Sequence, residues 1–313
     1  MPAELVYSIP LRTRFRGITV RQGLLLRGDA GWGEFCPFDD YSDAESVPWL
    51  ASAREAALEG WPAPVRDRIP VNCTVPVVSP ERAHEIVAAS GCATAKVKVA
   101  DPGTTVASDC ERLTAVRDAL GPGGHIRVDA NGAWDVDTAV VALRAMERAA
   151  GGLEYAEQPC RTIEELALVR RAVDIPIAAD ESIRRAEDPL RVAVAGAADI
   201  AVLKVAPLGG VRRALAVAEA CGLPCVVSSA LESSVGLAAE LALAGALPSL
   251  DYACGLATLS LFTTDTSSTS LRPVDGWLPV PRTAPEPDAV VPADEETRRR
   301  WLDRLERVSK LAG

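Results

Sequence analysis

Ile126-Arg127-Val128-Asp129-Ala130-Asn131-Gly132-Ala133-Trp134 reads as a short buried strand that ends in a carboxylate and an amide and leaves through a glycine turn. Its β-branched residues favour a strand, and Gly132 lets the chain exit. Side chains alternate across a strand, so Asp129 and Asn131 share one face. Alone, such a segment is an ordinary polar strand exit. Repetition gives it weight, because several later segments also run apolar residues into a charged one.

Outward from this stretch the chain alternates strand and helix. Strands are expected at 71–78, 95–99, 126–129, 153–157, 177–180, 200–204, 225–229 and 252–255. Helices are expected at 80–90, 104–120, 135–149, 162–172, 187–195, 210–221 and 234–246. This alternation implies parallel pairing with right-handed crossovers, and its length fits an α/β TIM-like barrel in a modified (β/α)7β form. An open doubly wound sheet fits less well, since no Gly-x-Gly-x-x-Gly turn follows the first strand. Before the barrel, 4–9, 17–27 and Trp32–Phe35 read as an antiparallel meander, with Arg12–Arg16 as a short basic link. A helix at 43–59 follows, and Pro62, Pro64 and Arg66-Asp67-Arg68 break it. We therefore expect an α+β capping domain at 1–69, a catalytic barrel at 70–256 and a C-terminal segment at 257–313. That segment ends in a helix at 294–311, with Trp301, Leu302, Leu305, Val308 and Leu311 on one stripe, packing back on the cap or the barrel.

The 313 residues suffice for such a barrel and a small extra domain. The formal charge of −10, from 43 acidic and 33 basic residues, offers no basic footprint for nucleic acid. Eight cysteines lie scattered among apolar residues without a Cys-x-x-Cys pair, which suits buried thiols in a reducing compartment. No basic-then-apolar leader and no run of about 18 apolar residues is present, so a cytoplasmic protein is expected. His84 and His125 lack ligand neighbours and read as structural. Trp32, Trp61 and Trp134 read as packing anchors, and Gly209-Gly210 as a tight turn rather than an anion cradle.

In a barrel all strand C-termini open on one mouth, where catalytic groups sit. The second strand brings Lys96 and Lys98 there, and the third Asp129 and Asn131. Glu157 follows on the fourth, Asp180 and Glu181 on the fifth and Lys204 on the sixth. Three carboxylates on adjacent strands repel and raise one another's pKa values. A hard divalent cation removes that conflict, and oxygen donors suit Mg²⁺. The lysines flank the acids on opposite sides of the ring, one on each face of a substrate held by the metal.

The chain resembles the enolase superfamily in its muconate-lactonizing subgroup. The resemblance rests on Gly31-Trp32-Gly33-Glu34, Lys96-x-Lys98, Asp129-x-Asn131, Glu157-Gln158-Pro159, Asp180-Glu181-Ser182, Lys204, and the Ser228–Gly236 run. It implies Mg²⁺ ligation by Asp129, Glu157 and Asp180, with Mn²⁺ as a substitute. Lys98 is then the general acid/base, with Lys96 beside it and Lys204 as the second lysine. Asn131 is a supporting polar group, and Ser228, Ser229 and Gly255 line the substrate tail. Glu181 is expected off the metal.

The activity so implied is syn dehydration of 2-succinyl-6-hydroxy-2,4-cyclohexadiene-1-carboxylate to 2-succinylbenzoate, a step of menaquinone biosynthesis, by α-proton abstraction and an enediolate. A lysine beside other cations is poised as a base near neutral pH, and Lys204 can lie charged over the diene. The Arg12–Arg16 segment stands as a source of charge for substrate carboxylates or as a plain basic turn. The expected partner is a small carboxylate, without nucleic acid or membrane, and a monomer is compatible with that. The nearest rival on this scaffold is an N-acylamino acid racemase or dipeptide epimerase. A Schiff-base lyase and a non-catalytic carboxylate cluster are more distant.

Overall fold

The computed structural model of the chain describes residues 4–184 and 191–313. It opens with β1 (Glu4–Phe15), β2 (Ile18–Gly28), β3 (Gly31–Phe35) and α1 (Val47–Leu58). The chain continues through β4 (Arg68–Pro70), β5 (Cys73–Val75), α2 (Pro80–Ser90), β6 (Thr94–Lys98), α3 (Val106–Leu120), β7 (His125–Asp129), α4 (Val136–Ala150), β8 (Tyr155–Glu157) and α5 (Ile163–Ala172). Then come β9 (Ile177–Ala179), α6 (Glu181–Arg184), α7 (Arg191–Val194), β10 (Ile200–Leu203), α8 (Val205–Leu208), α9 (Val211–Cys221), β11 (Cys225–Val227) and α10 (Ser234–Ala246). A 3-10 turn (Thr258–Leu261), β12 (Trp277–Pro279) and α11 (Glu295–Ala312) close the chain. The expected helix at 187–195 falls partly outside the described residues.

Local chemistry sets the helix starts. Ser79, Thr105, Asp135 and Thr162 each accept the amide three residues on, at the heads of α2, α3, α4 and α5. Each thereby satisfies one amide that the first turn leaves without a partner. The strands form a parallel sheet in the order β11-β10-β9-β8-β7-β6-β5. Parallel bridges Ser228↔Gly255 and Val71↔Cys254 close it. The eighth strand expected at 252–255 is thus reduced to bridging residues. Inside the barrel Tyr155, Ala178, Ile200, Val202 and Val226 pack together, while Ala201 and Leu203 of β10 face the larger outer core. The inward column of β10 therefore leads up to Lys204, as alternation requires.

Several expectations need correction. Arg12–Phe15 is not a link but the end of β1, and the hairpin turns on Arg16 and Gly17 alone. Both have positive φ (49° and 81°), which matches the twist of a tight hairpin. The helix expected from 43 starts at Val47, because Pro48 belongs in a first turn. His125 opens β7, one residue ahead of the strand expected from 126. Leu311 is exposed, and Arg304 joins the buried stripe of α11 in its place. Arg304 donates to the carbonyls of Phe38 (3.0 Å) and Tyr41 (2.7 Å), so α11 packs on the N-terminal layer.

Two carboxylates of that layer seat it on the barrel. Glu34 of β3 accepts the amides of Ser233 (3.1 Å) and Gly236 (2.8 Å), at the head of α10. Glu55 of α1 accepts the amides of Val211 and Arg212 (3.1 Å) and the Arg212 guanidinium (2.9 Å), at the head of α9. The anion at Gly209-Gly210 is therefore the protein's own. A Cβ on Gly210 would lie 2.3 Å from Glu55 Oε2, and its φ of 122° also favours glycine. Arg21 of β2, fully buried, donates to the carbonyls of Leu231 (2.8 Å) and Ala230 (3.3 Å). Glu55→Ala is expected to cost about 2 kcal/mol, since hydrogen bonds to a charged group are lost and buried donors are left bare. Thermal melts would show this as a fall of roughly 3 °C; an unchanged melting temperature would refute the role.

Candidate active site

The strand register brings the site together. Lys98, Asp129 and Glu157 are lateral partners across β6, β7 and β8. Glu157 also pairs with Ala178, so Asp180 stands two residues further along the same face. Asp129, Glu157 and Asp180 are all buried. Each carries a lysine. Lys96 Nζ donates to both oxygens of Glu157 at 3.0 Å and lies 3.5 Å from Asp129. Lys98 Nζ pairs with Asp129 and donates to Asn131 Oδ1 at 2.8 Å. Lys204 Nζ donates to Asp180 Oδ2 at 2.6 Å.

The electrostatics follow. Burial, then repulsion from Asp129, pushes Glu157 up to about 7 against the pull of Lys96. Burial also disfavours the charged form of Asp129, but Lys98 and Lys96 outweigh it and hold the carboxyl well below the usual range. Burial would lower Lys96, yet Glu157 and Asp129 raise its ammonium well above its ordinary value.

Among the described residues no three His, Cys, Asp or Glu side chains are gathered as a ready ligand set. The lysines take the carboxylate oxygens instead. The donor chemistry still fits a hard divalent cation: three all-oxygen groups on adjacent strands, buried and crowded enough to raise the pKa of Glu157.

Lys96, Lys98, Asp129, Asn131, Lys204, Ser228, Ser229 and Gly255 line one chamber of about 40 Å³. Phe15, Arg16, Phe38, Thr74, Ala230, Leu231 and Thr258 complete its wall. Lys98 and Asn131 also border an outer cavity of about 1210 Å³, with Arg14, Arg16 and Arg161 on its rim. The end of β1 thus does face the mouth. Gly255 leaves room for its neighbour, because a Cβ there would lie 2.6 Å from Ser228 Oγ. The Ser229 hydroxyl is committed within the protein: it donates to Glu232 (2.7 Å) and accepts from the Leu231 amide (2.8 Å) and Thr258 (2.8 Å). Glu181 accepts from Asn131 Nδ2 at 3.3 Å.

Residue-by-residue reading missed three contributors. The Lys98 ammonium lies 5.5 Å from the Phe15 ring centre, and Phe38 is stacked by both Arg16 and Arg21 at 4.2 Å. Gln158, fully buried, accepts the Asp180 amide at 2.9 Å and donates to Ser182 Oγ at 2.8 Å, tying the β8 exit to the β9 exit. The aromatic in Arg14-Phe15-Arg16 was the available signal for the first.

Comparison with known proteins identifies the family. A family model described as enolase C-terminal domain-like matches residues 79–285, and one described as enolase N-terminal domain-like matches 6–57. The o-succinylbenzoate synthase of Thermobifida fusca is 66% identical over 276 residues, covering 88% of this chain and 86% of that protein. That of Mycolicibacterium smegmatis is 55% identical over 303 residues, covering 96% and 93%. The solved L-Ala-D/L-Glu epimerase of Bacillus subtilis is 25% identical, with a TM-score of 0.77 over 91% of this chain and 97% of that one. The chain belongs to the enolase superfamily and, within it, to the o-succinylbenzoate synthase family.

Proposed function

We propose that the chain is a Mg²⁺-dependent hydro-lyase that dehydrates 2-succinyl-6-hydroxy-2,4-cyclohexadiene-1-carboxylate to 2-succinylbenzoate. One observation carries the reading: in a chain this close to named synthases, the two lysines expected on opposite substrate faces line a single chamber, each paired with a different buried carboxylate.

Asp129, Glu157 and Asp180 would hold Mg²⁺, which when bound stabilises negative charge gathered on the substrate carboxylate. Lys98 Nζ takes the proton α to that carboxylate. The electron pair left behind expels the β-hydroxyl, and the same Nζ returns the proton to it as water departs. Using one group on one face accounts for syn elimination. Lys204 stays charged on the other face and offsets the growing anion. Phe15 covers one side of the Lys98 ammonium, which lowers the local dielectric there.

The test is turnover of the cyclohexadiene acid with and without a chelator. Activity is expected to vanish with EDTA and return with added Mg²⁺. Full activity in EDTA would refute the metal, and α-deuterium exchange in N-succinylamino acids without any dehydration would favour the racemase reading instead.

A further inference from the structure

Lys204 is the last residue before the chain leaves β10 and enters α8. It occupies the cap position of α8 with no side-chain cap hydrogen bond, since an ammonium cannot accept an amide, and it donates to Asp180 instead. The first amides of a helix need partners. Here one comes from α10: Glu240 Oε1 accepts the Val205 amide at 2.9 Å.

Glu240 is an unexpected residue at this place. It is fully buried and is the sole charged residue of a helix otherwise built of Ala, Leu, Val, Gly and Ser. Its second oxygen, Oε2, is buried with no hydrogen-bond partner in the protein. Beside it lies a cavity of about 10 Å³, shared with Glu34 and Glu232, with room for about one water. A leucine would pack as its neighbours do and carry no desolvation cost. The carboxyl therefore has to be explained by the amide it holds.

We propose that Glu240 is a positioning residue for Lys204: by fixing the Val205 amide it fixes the end of β10, and with it the placement of Lys204 Nζ on Asp180. Burial, reinforced by Glu232, raises the Glu240 carboxyl well above the usual range. An isosteric amide keeps the accepting oxygen, whereas a shorter acid does not reach.

The effect on turnover rests on the dehydration reading above; the effect on the backbone does not. The test compares Glu240→Gln, Glu240→Asp and Glu240→Leu by kcat and KM, thermal melting, and amide hydrogen exchange of a peptide spanning 200–208. Glu240→Gln is expected to keep kcat within about threefold and to leave that peptide protected. Glu240→Asp and Glu240→Leu are expected to lose at least about tenfold in kcat with KM nearly unchanged, as misplacement of one catalytic group does. Their 200–208 peptide should exchange faster while the fold persists. Loss in Glu240→Gln equal to that in Glu240→Leu would overturn the proposal, as would wild-type kcat and protection in Glu240→Asp. Should the wild type fail to dehydrate the substrate, the reaction reading falls, and exchange at 200–208 still decides Glu240.

Discussion

Lys98→Ala is expected to slow dehydration about 10²–10⁴-fold, the usual worth of a positioned acid/base. The loss should fall on kcat, with KM little changed, because the proposed role begins once the substrate is bound. Lys98 is only half-buried, and Asp129 keeps Lys96 at 3.5 Å, so the fold should tolerate the change. Lys98→Arg should not rescue it, since a guanidinium does not give up its proton near neutral pH. Steady-state kinetics with circular dichroism checks both points; near-normal turnover in Lys98→Ala would remove the residue from the mechanism.

Glu157→Ala is expected to damage activity and fold together. Both oxygens of Glu157 engage Lys96 inside the barrel, where both groups are buried. Deleting the acid leaves the buried Lys96 ammonium with Asp129 alone, at 3.5 Å, for a cost of about 3 kcal/mol. For a chain of this size the melting temperature should fall by roughly 5 °C. A proposed metal donor also disappears, so Mg²⁺ should raise the melting temperature of the wild type and not of the variant, by the linkage of binding to stability. A variant as stable and as responsive to Mg²⁺ as the wild type would contradict both assignments.

The barrel was legible because two independent patterns agree in it: strand and helix alternate, and charged residues recur where inward columns end. Asp129, Glu157 and Asp180 could be placed on one mouth from alternation alone, and the register of β7, β8 and β9 puts them there. What stayed hidden depends on partners far away in sequence. Arg12–Phe15 looks like a basic link, yet the hairpin pairing that continues it to Phe15↔Ile18 makes it strand. Gly209-Gly210 gives no local hint that its anion is Glu55, which lies in the first helix. Ser229 carries the same strand-end signal as Ser228, although its hydroxyl is spent on Glu232 and Thr258. Residues 256–292 read as irregular, and the short β12 inside them exists only through its pairing with β4.

The seating of Glu34 and Glu55 on the heads of α10 and α9 bears on how an acid gets in. Swinging the whole N-terminal layer away about a hinge would strip four backbone amides of their acceptors, leaving Glu34 with the Tyr7 hydroxyl of its own layer and Glu55 without its barrel donors. Each such group costs about 1–3 kcal/mol. Entry by rigid-body opening is thereby made expensive, and traffic is left to the hairpin tip at Arg14–Gly17, which borders the outer cavity and carries neither carboxylate.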